Sequence, residues 1–313
     1  RRAQLLAPRA HLRRRATPSI RCWDLVKARL AFQRIDCCVY CGESTRTEDE
    51  AVPCRSFKRP GGCAAEAHRR AARLEAPLLL LEQPLHLTHT ASSWPVVIDI
   101  AAGASLTLTE EFASDRDQQQ VIWLRLGRDA QVTHGRNSLS STPNHWQFLS
   151  VQINTNGHYS LHNHAVASPL RRQDIQIQLC GDGASANLCG AAMAPQRGNL
   201  DQQVTMEHLS ANTTSQQTFH NIVADRGKST FNGRIHIHAG ARNSNANLSN
   251  KNIGLGANAT INTKPELEIY NDDVSCSHGA TIGQLDNDQL FYLCSRGVDP
   301  NAARQLLCEG FLQ

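Results

Sequence analysis

One cysteine and one histidine near the end of the chain have the residue types and the spacing of a metal half-site. Cys276 and His278 are two positions apart in a segment that alternates like a β-strand, so their side chains should leave the same face. A soft thiolate and an imidazole on one face suit iron, with further ligands supplied by a neighbouring strand or another chain. The alternative is a buried cysteine beside a histidine that is hydrogen-bonded to Asp272 or Asp273.

Three other pairs of residues, each two positions apart, are further candidate ligands. They are Glu266 with Glu268, His162 with His164, and His236 with His238. The two glutamates alternate with apolar residues and are candidate accessory ligands, although charges on a solvated strand face are the simpler interpretation. The histidine pairs are interpreted first as edge or solvent-facing histidines, with metal binding as the alternative.

The sequence has no motif of an enzyme that acts alone. A Walker loop, a dinucleotide-binding glycine fingerprint and a nucleophile elbow are all absent. The remaining cysteines after residue 75 have no ligand-like spacing and are interpreted as structural: Cys180, Cys189, Cys294 and Cys308. We therefore expect a chain that is not catalytic by itself.

From residue 76 the sequence is a series of short alternating segments, for example at 105–109, 121–126 and 233–238. Each is expected to be a strand with one buried face. A turn containing glycine lies beside nearly every one, and from Gly103 to Gly279 these glycines recur at intervals of roughly two dozen residues, as repeat units do. The longest interval, from Gly183 to Gly227, is interpreted as two steps. Such a recurrence is typical of a solenoid, whose turns bury their apolar faces against one another.

Short strands with polar corners favour a β-helix among the all-β folds. Aromatic residues make up only 5% of the chain, which suits a narrow interior of Val, Ile, Leu and Ala with Asn, Ser and Thr at the corners. A sandwich or barrel would show more two-residue hairpin turns, and Asn-Gly occurs only at 156–157 and 232–233. We assign residues 76–297 to the β-helix.

The two ends of the chain differ from this coil. Residues 1–75 have no sustained apolar period beyond a helix-compatible stretch at 23–32, and are expected to be disordered or translated in the wrong frame. A zinc site using Cys38 and Cys41 and an organelle transit peptide are the alternatives. At the other end, Asp299 and Pro300 predict a helix start, so residues 298–313 are expected to begin a truncated helical region.

Charge and hydropathy exclude two classes of partner. Residues 1–75 carry 17 Lys and Arg against 8 Asp and Glu, whereas the remainder carries 15 against 20. The basic segment lacks the interleaved aromatic residues of a nucleic-acid-binding module, so no nucleic acid is expected. No apolar run approaches the roughly 18 residues that cross a bilayer, so no membrane is expected either.

Long runs near the C-terminus are similar to a known family. The runs are TKPELEIY at 263–270, DVSCSHGATIG at 273–283 and DQLFY at 288–292, with FNGRI at 231–235 and NLSNKNIGL at 247–255. They closely resemble the SufB/SufD family of iron–sulfur cluster assembly proteins. A weaker likeness extends back to about residue 76, and residues 1–75 contribute none.

Within that family the chain resembles SufD rather than SufB. SufB-like sequences carry a cysteine in the strand before the Cys-x-His position and an acidic residue after the histidine. Here residues 247–253 contain no cysteine, and Gly279 follows His278. The resemblance implies a right-handed parallel β-helix that pairs with SufB, a C-terminal helical region that docks the SufC ATPase, and a non-catalytic scaffold in the cytoplasm, or in a plastid if the source is a photosynthetic eukaryote.

The resemblance also implies a role for individual residues. Cys276 and His278 match the family positions at the interface with SufB, where they would hold iron or a transient iron–sulfur cluster shared with that subunit. Glu266 and Glu268 remain candidate accessory ligands. The alternative function is a β-helical carbohydrate-active enzyme, which would need two carboxylates in an open cleft. A structural β-helix without ligands is the third.

Overall fold

The computed structural model describes residues 72–75, 84–90, 95–140 and 144–313, which form sixteen strands followed by two helices. The strands are β1 (Ala72–Glu75), β2 (Leu85–His89), β3 (Val96–Ile100), β4 (Ser105–Phe112), β5 (Gln118–Leu126), β6 (Gln131–Ser138), β7 (His145–Ile153), β8 (His158–Val166), β9 (Arg171–Leu179), β10 (Ser185–Ala194), β11 (Asn199–His208), β12 (Thr214–Ala224), β13 (Lys228–Ile237), β14 (Ser244–Leu255), β15 (Thr260–Ile269) and β16 (Val274–Gly283). The helices are α1 (Asn287–Ser295) and α2 (Pro300–Leu312).

The strands alternate between two parallel sheets of eight. The odd-numbered strands, β1 to β15, form one sheet, which we call the odd sheet, and β2 to β16 form the even sheet. Each strand pairs with the strand two places along the chain, so one turn of the coil adds one strand to each sheet. This is a parallel β-solenoid, and the predicted β-helix is confirmed.

Two predictions concern the start of the chain. The helix-compatible stretch at 23–32 and the candidate zinc ligands Cys38 and Cys41 lie outside the described residues. Of residues 1–75, the structure describes only the last four, and these form β1. That strand pairs with β3, with Ala72 opposite Val96.

The length of one turn increases along the coil. Near its start Leu85 pairs with Leu108, whereas near its end Lys228 pairs with Thr260, which is a distinctly longer step along the chain. The predicted recurrence is therefore correct at the start and too short at the end, because the later strands are longer.

The interval from Gly183 to Gly227 does not correspond to the two turns that were predicted for it. Gly183 lies at the corner before β10 in the even sheet, whereas Gly227 lies at the corner before β13 in the odd sheet. The segment between them therefore spans one and a half turns rather than two. Gly279 is inside β16 and marks no corner.

Alternation along each strand builds the interior. In β9 every second residue is buried, as the period of a strand with one face inward requires. The core is mainly aliphatic and includes these fully buried residues: Leu108, Leu124, Leu149, Ile177, Leu188 and Ile235. A buried row of amides accompanies it, in which Gln173 donates to Gln147 at 2.8 Å and Gln202 donates to Gln173 at 3.1 Å. These hydrogen bonds offset the free-energy cost of burying polar amide groups.

Asparagine and aspartate form several corners of the coil. Asp129, Asn156, Asn212 and Asn243 have φ values of 56°, 55°, 58° and 53°, the left-handed region that short Asx side chains tolerate. The Asn156 amide donates to the Asp129 carboxylate at 3.0 Å, and the Asn243 amide donates to Asn212 at 2.6 Å. Corner residues of successive turns are thus joined as well as the strands.

The coil ends earlier than predicted. β16 stops at Gly283, and α1 lies inside the range 76–297 predicted for the β-helix, with the carboxylate of Asp286 capping its first backbone amides. Helix α1 has no fully buried residue, and the exposed Phe291 and Tyr292 lie between its half-buried apolar residues, which are Leu290, Leu293 and Cys294, so the helical period is obscured in the sequence. The predicted start of α2 is correct: Asp299 caps it and Pro300 is its first residue.

Helix α2 packs against the even sheet. Ala303 and Cys308 are buried, and the ring of Phe311 stacks on His220 of β12 with 5.0 Å between ring centroids. Neither of the two described helices has the length and apolar content that a membrane-spanning helix requires.

Candidate functional site

Cys276 and His278 lie on the last strand of the even sheet. Cys276 is opposite Ala246 and His278 is opposite Leu248, both of which are buried residues of β14. Paired residues of a parallel sheet direct their side chains to the same face, so the thiol and the imidazole continue an inward-facing column. The predicted strand and the predicted common face are both present.

This inward column is open at its end because no strand follows β16 in the sheet, within the part of the chain that the structure describes. The Cys276 side chain is half-buried and packs against the aliphatic core, whereas His278 is exposed. The pair is therefore not sealed inside the coil. It lies where the core meets the surface at the last turn.

The surroundings of Cys276 favour the protonated thiol in the chain by itself. Burial raises the pKa of the Cys276 thiol, and a hydrogen bond with the backbone of Ala246 opposes this only partly. A metal ion ligates the thiolate, so binding here must displace a proton. Metal affinity at this cysteine should consequently increase with pH.

The simpler interpretation of His278, a hydrogen bond to Asp272 or Asp273, is wrong for the described residues. Both aspartates are exposed at the corner before β16 and neither pairs with the imidazole. They line an open cleft of about 370 Å³ together with the start of β14. His278 therefore has its ring nitrogens available for a ligand that comes from outside the coil.

Glu266 and Glu268 do not join the cysteine–histidine pair. They lie on β15 opposite Arg234 and His236, on the outer face of the odd sheet, while the intervening Leu267 packs against the core. Glu268 is 3.3 Å from the Arg234 guanidinium, and Glu266 forms an ion pair with Lys264. The structure thus agrees with the simpler interpretation of the two glutamates, charges on a solvated strand face, and places them on a different sheet from Cys276 and His278.

The two His-x-His pairs differ in their neighbours. His162 and His164 lie on the outer face of β8, where the His164 ring is 3.1 Å from the amide oxygen of Asn137 and burial lowers its pKa to about 4. His236 and His238 gather with Glu207, and one ligand atom from each of these three residues lies within 4.8 Å of the others. It is the one such group of three among the described residues.

Glu207 was not identified as a candidate ligand from the sequence. It is in β11, directly opposite His236 of β13, and is separated from it by one full turn of the coil. The sequence signal that could have identified Glu207 is the length of one turn, because that length fixes which residue of β13 lies opposite it. Because that length varies along the coil, the alignment required the structure.

The family model described as "SUF system FeS cluster assembly, SufBD core domain" matches residues 86–311, which include the open end, helix α1 and all but the last residue of α2. The chain belongs to this family. It is 30% identical to the iron–sulfur cluster assembly protein SufD of Escherichia coli over 257 residues, covering 78% of this chain and 60% of SufD. The family resemblance predicted from the sequence is confirmed.

Two other relatives place the chain within the family. Protein ABCI7, chloroplastic, of Arabidopsis thaliana is 29% identical over 228 residues, covering 69% of this chain and 47% of ABCI7. SufB of Bacillus subtilis is 31% identical over 135 residues, covering 43% of this chain and 29% of SufB. The similarity to SufD thus extends over much more of the chain than the similarity to SufB, as the SufD-like prediction requires. The chain spans about half to three fifths of the length of SufD and ABCI7.

Proposed function

We propose that the chain is a SufD-like scaffold subunit for iron–sulfur cluster assembly, which acts with a SufB-like subunit and a SufC-like ATPase and is not itself an enzyme. The observation that carries the proposal is the placement of Cys276 and His278 on the terminal strand, half-buried and exposed respectively. Neither belongs to a group of three ligands within the described part of the chain. A thiolate and an imidazole in such a place form half of a coordination shell.

The end of the coil supports docking of a partner strand. β15 and β16 are ten-residue strands at the ends of their sheets, and each has one edge that pairs with no described strand. Their surroundings expose apolar side chains: Ile269 is 43%, Tyr270 63% and Ile282 57% exposed. An exposed, apolar sheet edge is a template for a strand of another chain. We assign this edge to the SufB-like subunit.

The cargo of the shared site is iron or a nascent cluster. Thiolate sulfur and imidazole nitrogen are ligands that iron and iron–sulfur clusters accept. A partner strand beside β16 would bring its own ligands to the open end of the core, next to Cys276 and His278. The partly apolar environment of the thiol would limit the access of water to the bound cargo.

The helices are assigned to the ATPase. Phe291 and Tyr292 on α1 are 74% and 56% exposed, and Leu306 on α2 is 51% exposed. Exposed aromatic and aliphatic side chains of this size, grouped on two adjacent helices, mark a protein-binding surface.

For the compartment, the relative described as chloroplastic supports a plastid location if the source is a photosynthetic eukaryote. The carbohydrate-active alternative is not proposed, because the chain belongs to a cluster-assembly family.

The test is co-expression of this chain with the SufB and SufC of the same source. His278→Ala should leave the isolated complex intact by size-exclusion chromatography, because the ring is exposed, while lowering the iron and acid-labile sulfide recovered per complex severalfold. His162→Ala removes an exposed histidine from β8 and serves as the matched control.

Two results would contradict the proposal. Unchanged iron and sulfide in His278→Ala would remove the ligand role. Failure of the wild-type chain to associate with SufB would remove the partner assignment.

A further inference from the structure

We propose that Glu207, His236 and His238 form a second metal site, which binds one divalent first-row transition ion on the outer face of the odd sheet. This site is separate from Cys276 and His278, which lie on the inner face of the even sheet. It does not depend on the function proposed above.

The solenoid positions two of the three ligands by strand pairing. Glu207 of β11 is directly opposite His236 of β13, and such neighbours face the same side of a parallel sheet. His238 is two positions beyond His236 and so returns to that face. Its backbone amide donates to the carbonyl of His208 at 3.0 Å, which fixes the chain immediately after β13.

Burial distinguishes this group from an ordinary surface cluster. Glu207 is only 8% exposed, and the Nε2 atom of His238 is buried without a hydrogen-bond partner in the part of the chain that the structure describes. A buried polar atom that lacks a partner is costly and needs an explanation. A metal ion at the point where the three side chains converge would supply that partner.

The surrounding groups favour a cation. The amide of Gln178 donates to Oε2 of Glu207 at 2.8 Å and so orients the carboxylate. Glu268 is 3.9 Å from Nδ1 of His236 and 3.3 Å from Arg234. Arg234 Nη2 is also 3.4 Å from Nδ1 of His236, but the carboxylates of Glu207 and Glu268 outnumber this one guanidinium, so the charged side chains around the cluster are net negative.

Binding requires a small rearrangement. The two histidine rings are stacked, with centroids 3.9 Å apart and an angle of 17° between their planes. Because the lone pair of a ring nitrogen lies in the ring plane, at least one ring must tilt before both can reach one ion. Bonds of about 2.1 Å in a tetrahedral site separate the ligand atoms by roughly 3.4 Å, so rotation about the side-chain bonds has to close the present separation of up to 4.8 Å.

The donor set defines the class of metal. Two imidazoles and one carboxylate are typical ligands of Zn²⁺ and Fe²⁺, and three protein ligands leave further positions for water or another ligand. Mg²⁺ and Ca²⁺ prefer oxygen donors and should bind poorly. The site is therefore suited to holding a transition ion that exchanges with solution.

The experiment titrates Co²⁺ into the metal-free full-length chain and follows the absorption of bound cobalt, with Zn²⁺ as the competitor. Wild type should bind one more equivalent of Co²⁺ than His238→Asn. Glu207→Gln should lower the affinity for that additional Co²⁺ at least about tenfold. His162→Asn is the control, since it alters a His-x-His pair that belongs to no such group of three among the described residues. The difference spectrum between wild type and His238→Asn should contain ligand-field bands and no thiolate-to-cobalt charge transfer.

Equal stoichiometry and affinity in wild type, His238→Asn and Glu207→Gln would overturn the proposal, as would a charge-transfer band in the difference spectrum. Circular dichroism establishes that each variant is folded. If His238→Asn does not fold, Glu207→Gln decides the matter, because its amide keeps the shape of the side chain. The titration uses neither a partner subunit nor sulfide, so its failure is distinguishable from failure of the scaffold proposal.

Discussion

The Arg136 guanidinium donates through Nε to Oε2 of Glu110 at 2.6 Å, and both side chains are completely buried inside the solenoid. His89 and His134 contact the same carboxylate at 2.9 Å each, and His134 is also 2.8 Å from the hydroxyl of Tyr159. Burial would raise the pKa of Glu110, but Arg136 and His134 together hold it well below its usual range. The carboxylate therefore stays ionised within the core.

Removing this carboxylate should destabilise the coil strongly. Among the described residues the Nη1 and Nη2 atoms of Arg136 have no hydrogen-bond partner, so Glu110 is the charge that compensates the buried guanidinium. Glu110→Gln should lower the free energy of unfolding by about 3 to 5 kcal/mol, measured by urea denaturation. Glu111→Gln is the control, because that side chain is 52% exposed and should matter by less than about 1 kcal/mol. Equal losses in the two variants would show that Arg136 does not depend on Glu110.

Stability should fall as the pH drops below about 6.5, in part because of His208. Burial lowers the pKa of this imidazole from 6.5 to about 4. Between these values the unfolded chain binds a proton that the folded chain does not, so stability decreases with falling pH. The loss from this one group is on the order of 3 kcal/mol.

A pair of variants isolates that contribution. His208→Asn should flatten the dependence of unfolding free energy on pH between about 6.5 and 4. Ser215→Ala removes the hydroxyl that is 2.9 Å from His208 Nε2 and should lower stability throughout, while leaving most of the slope in place. A wild-type slope in His208→Asn would mean that other groups account for the acid sensitivity.

Gly190 should tolerate no side chain. A Cβ atom there would be 2.2 Å from the ring of Phe219, which is fully buried. Gly190→Ala should therefore cost about 1 to 3 kcal/mol of unfolding free energy. Gly135→Ala, where a Cβ atom would meet nothing within 4 Å, should be neutral or stabilising by about 0.4 to 1 kcal/mol. Thermal or urea unfolding compares the two, and an unaffected Gly190→Ala would imply that Phe219 can repack.

The proposed SufB edge should be sensitive to charge. Ile282 of β16 is 57% exposed, and Ile282→Asp should weaken association with SufB at least about tenfold, because a partner strand would have to bury the new carboxylate. Leu139→Asp changes an apolar residue that is 42% exposed beyond the end of β6, far from β16 in the strand order. Biosensor measurements should show a lower affinity for SufB in Ile282→Asp and an unchanged affinity in Leu139→Asp. Equal affinities in the two variants would place the interface elsewhere.

The fold could be predicted because its signals are local. A strand with one buried face is visible in a short alternating segment, and β16 could be recognised with Cys276 and His278 on one face. Helix α1 was not predicted, because the exposed Phe291 and Tyr292 lie between its half-buried apolar residues and hide the helical period. Residue type and spacing thus sufficed wherever the chain buried one face regularly.

Contacts between turns were beyond the sequence. Glu266 and Glu268 could be assigned to a solvated strand face but not to the odd sheet, because the sheet depends on how the strands pair between turns. The approach of Glu207 to His236 depends on the exact register of β11 on β13, in a coil whose turns lengthen from its start to its end. An error of a single position in that register moves a side chain to the opposite face.

The alternation of inward and outward side chains along β16 limits how homologous coils can change length. Adding or removing an entire turn would shift the terminal thiol and imidazole by one strand spacing, about 4.8 Å, and would leave their direction unaltered. A single-residue insertion at the start of β16 would instead turn Ser275 and Ser277 inward, replacing sulfur and nitrogen with hydroxyl oxygen. Natural variation in the number of turns is therefore compatible with this end of the protein, whereas a one-residue slip is not.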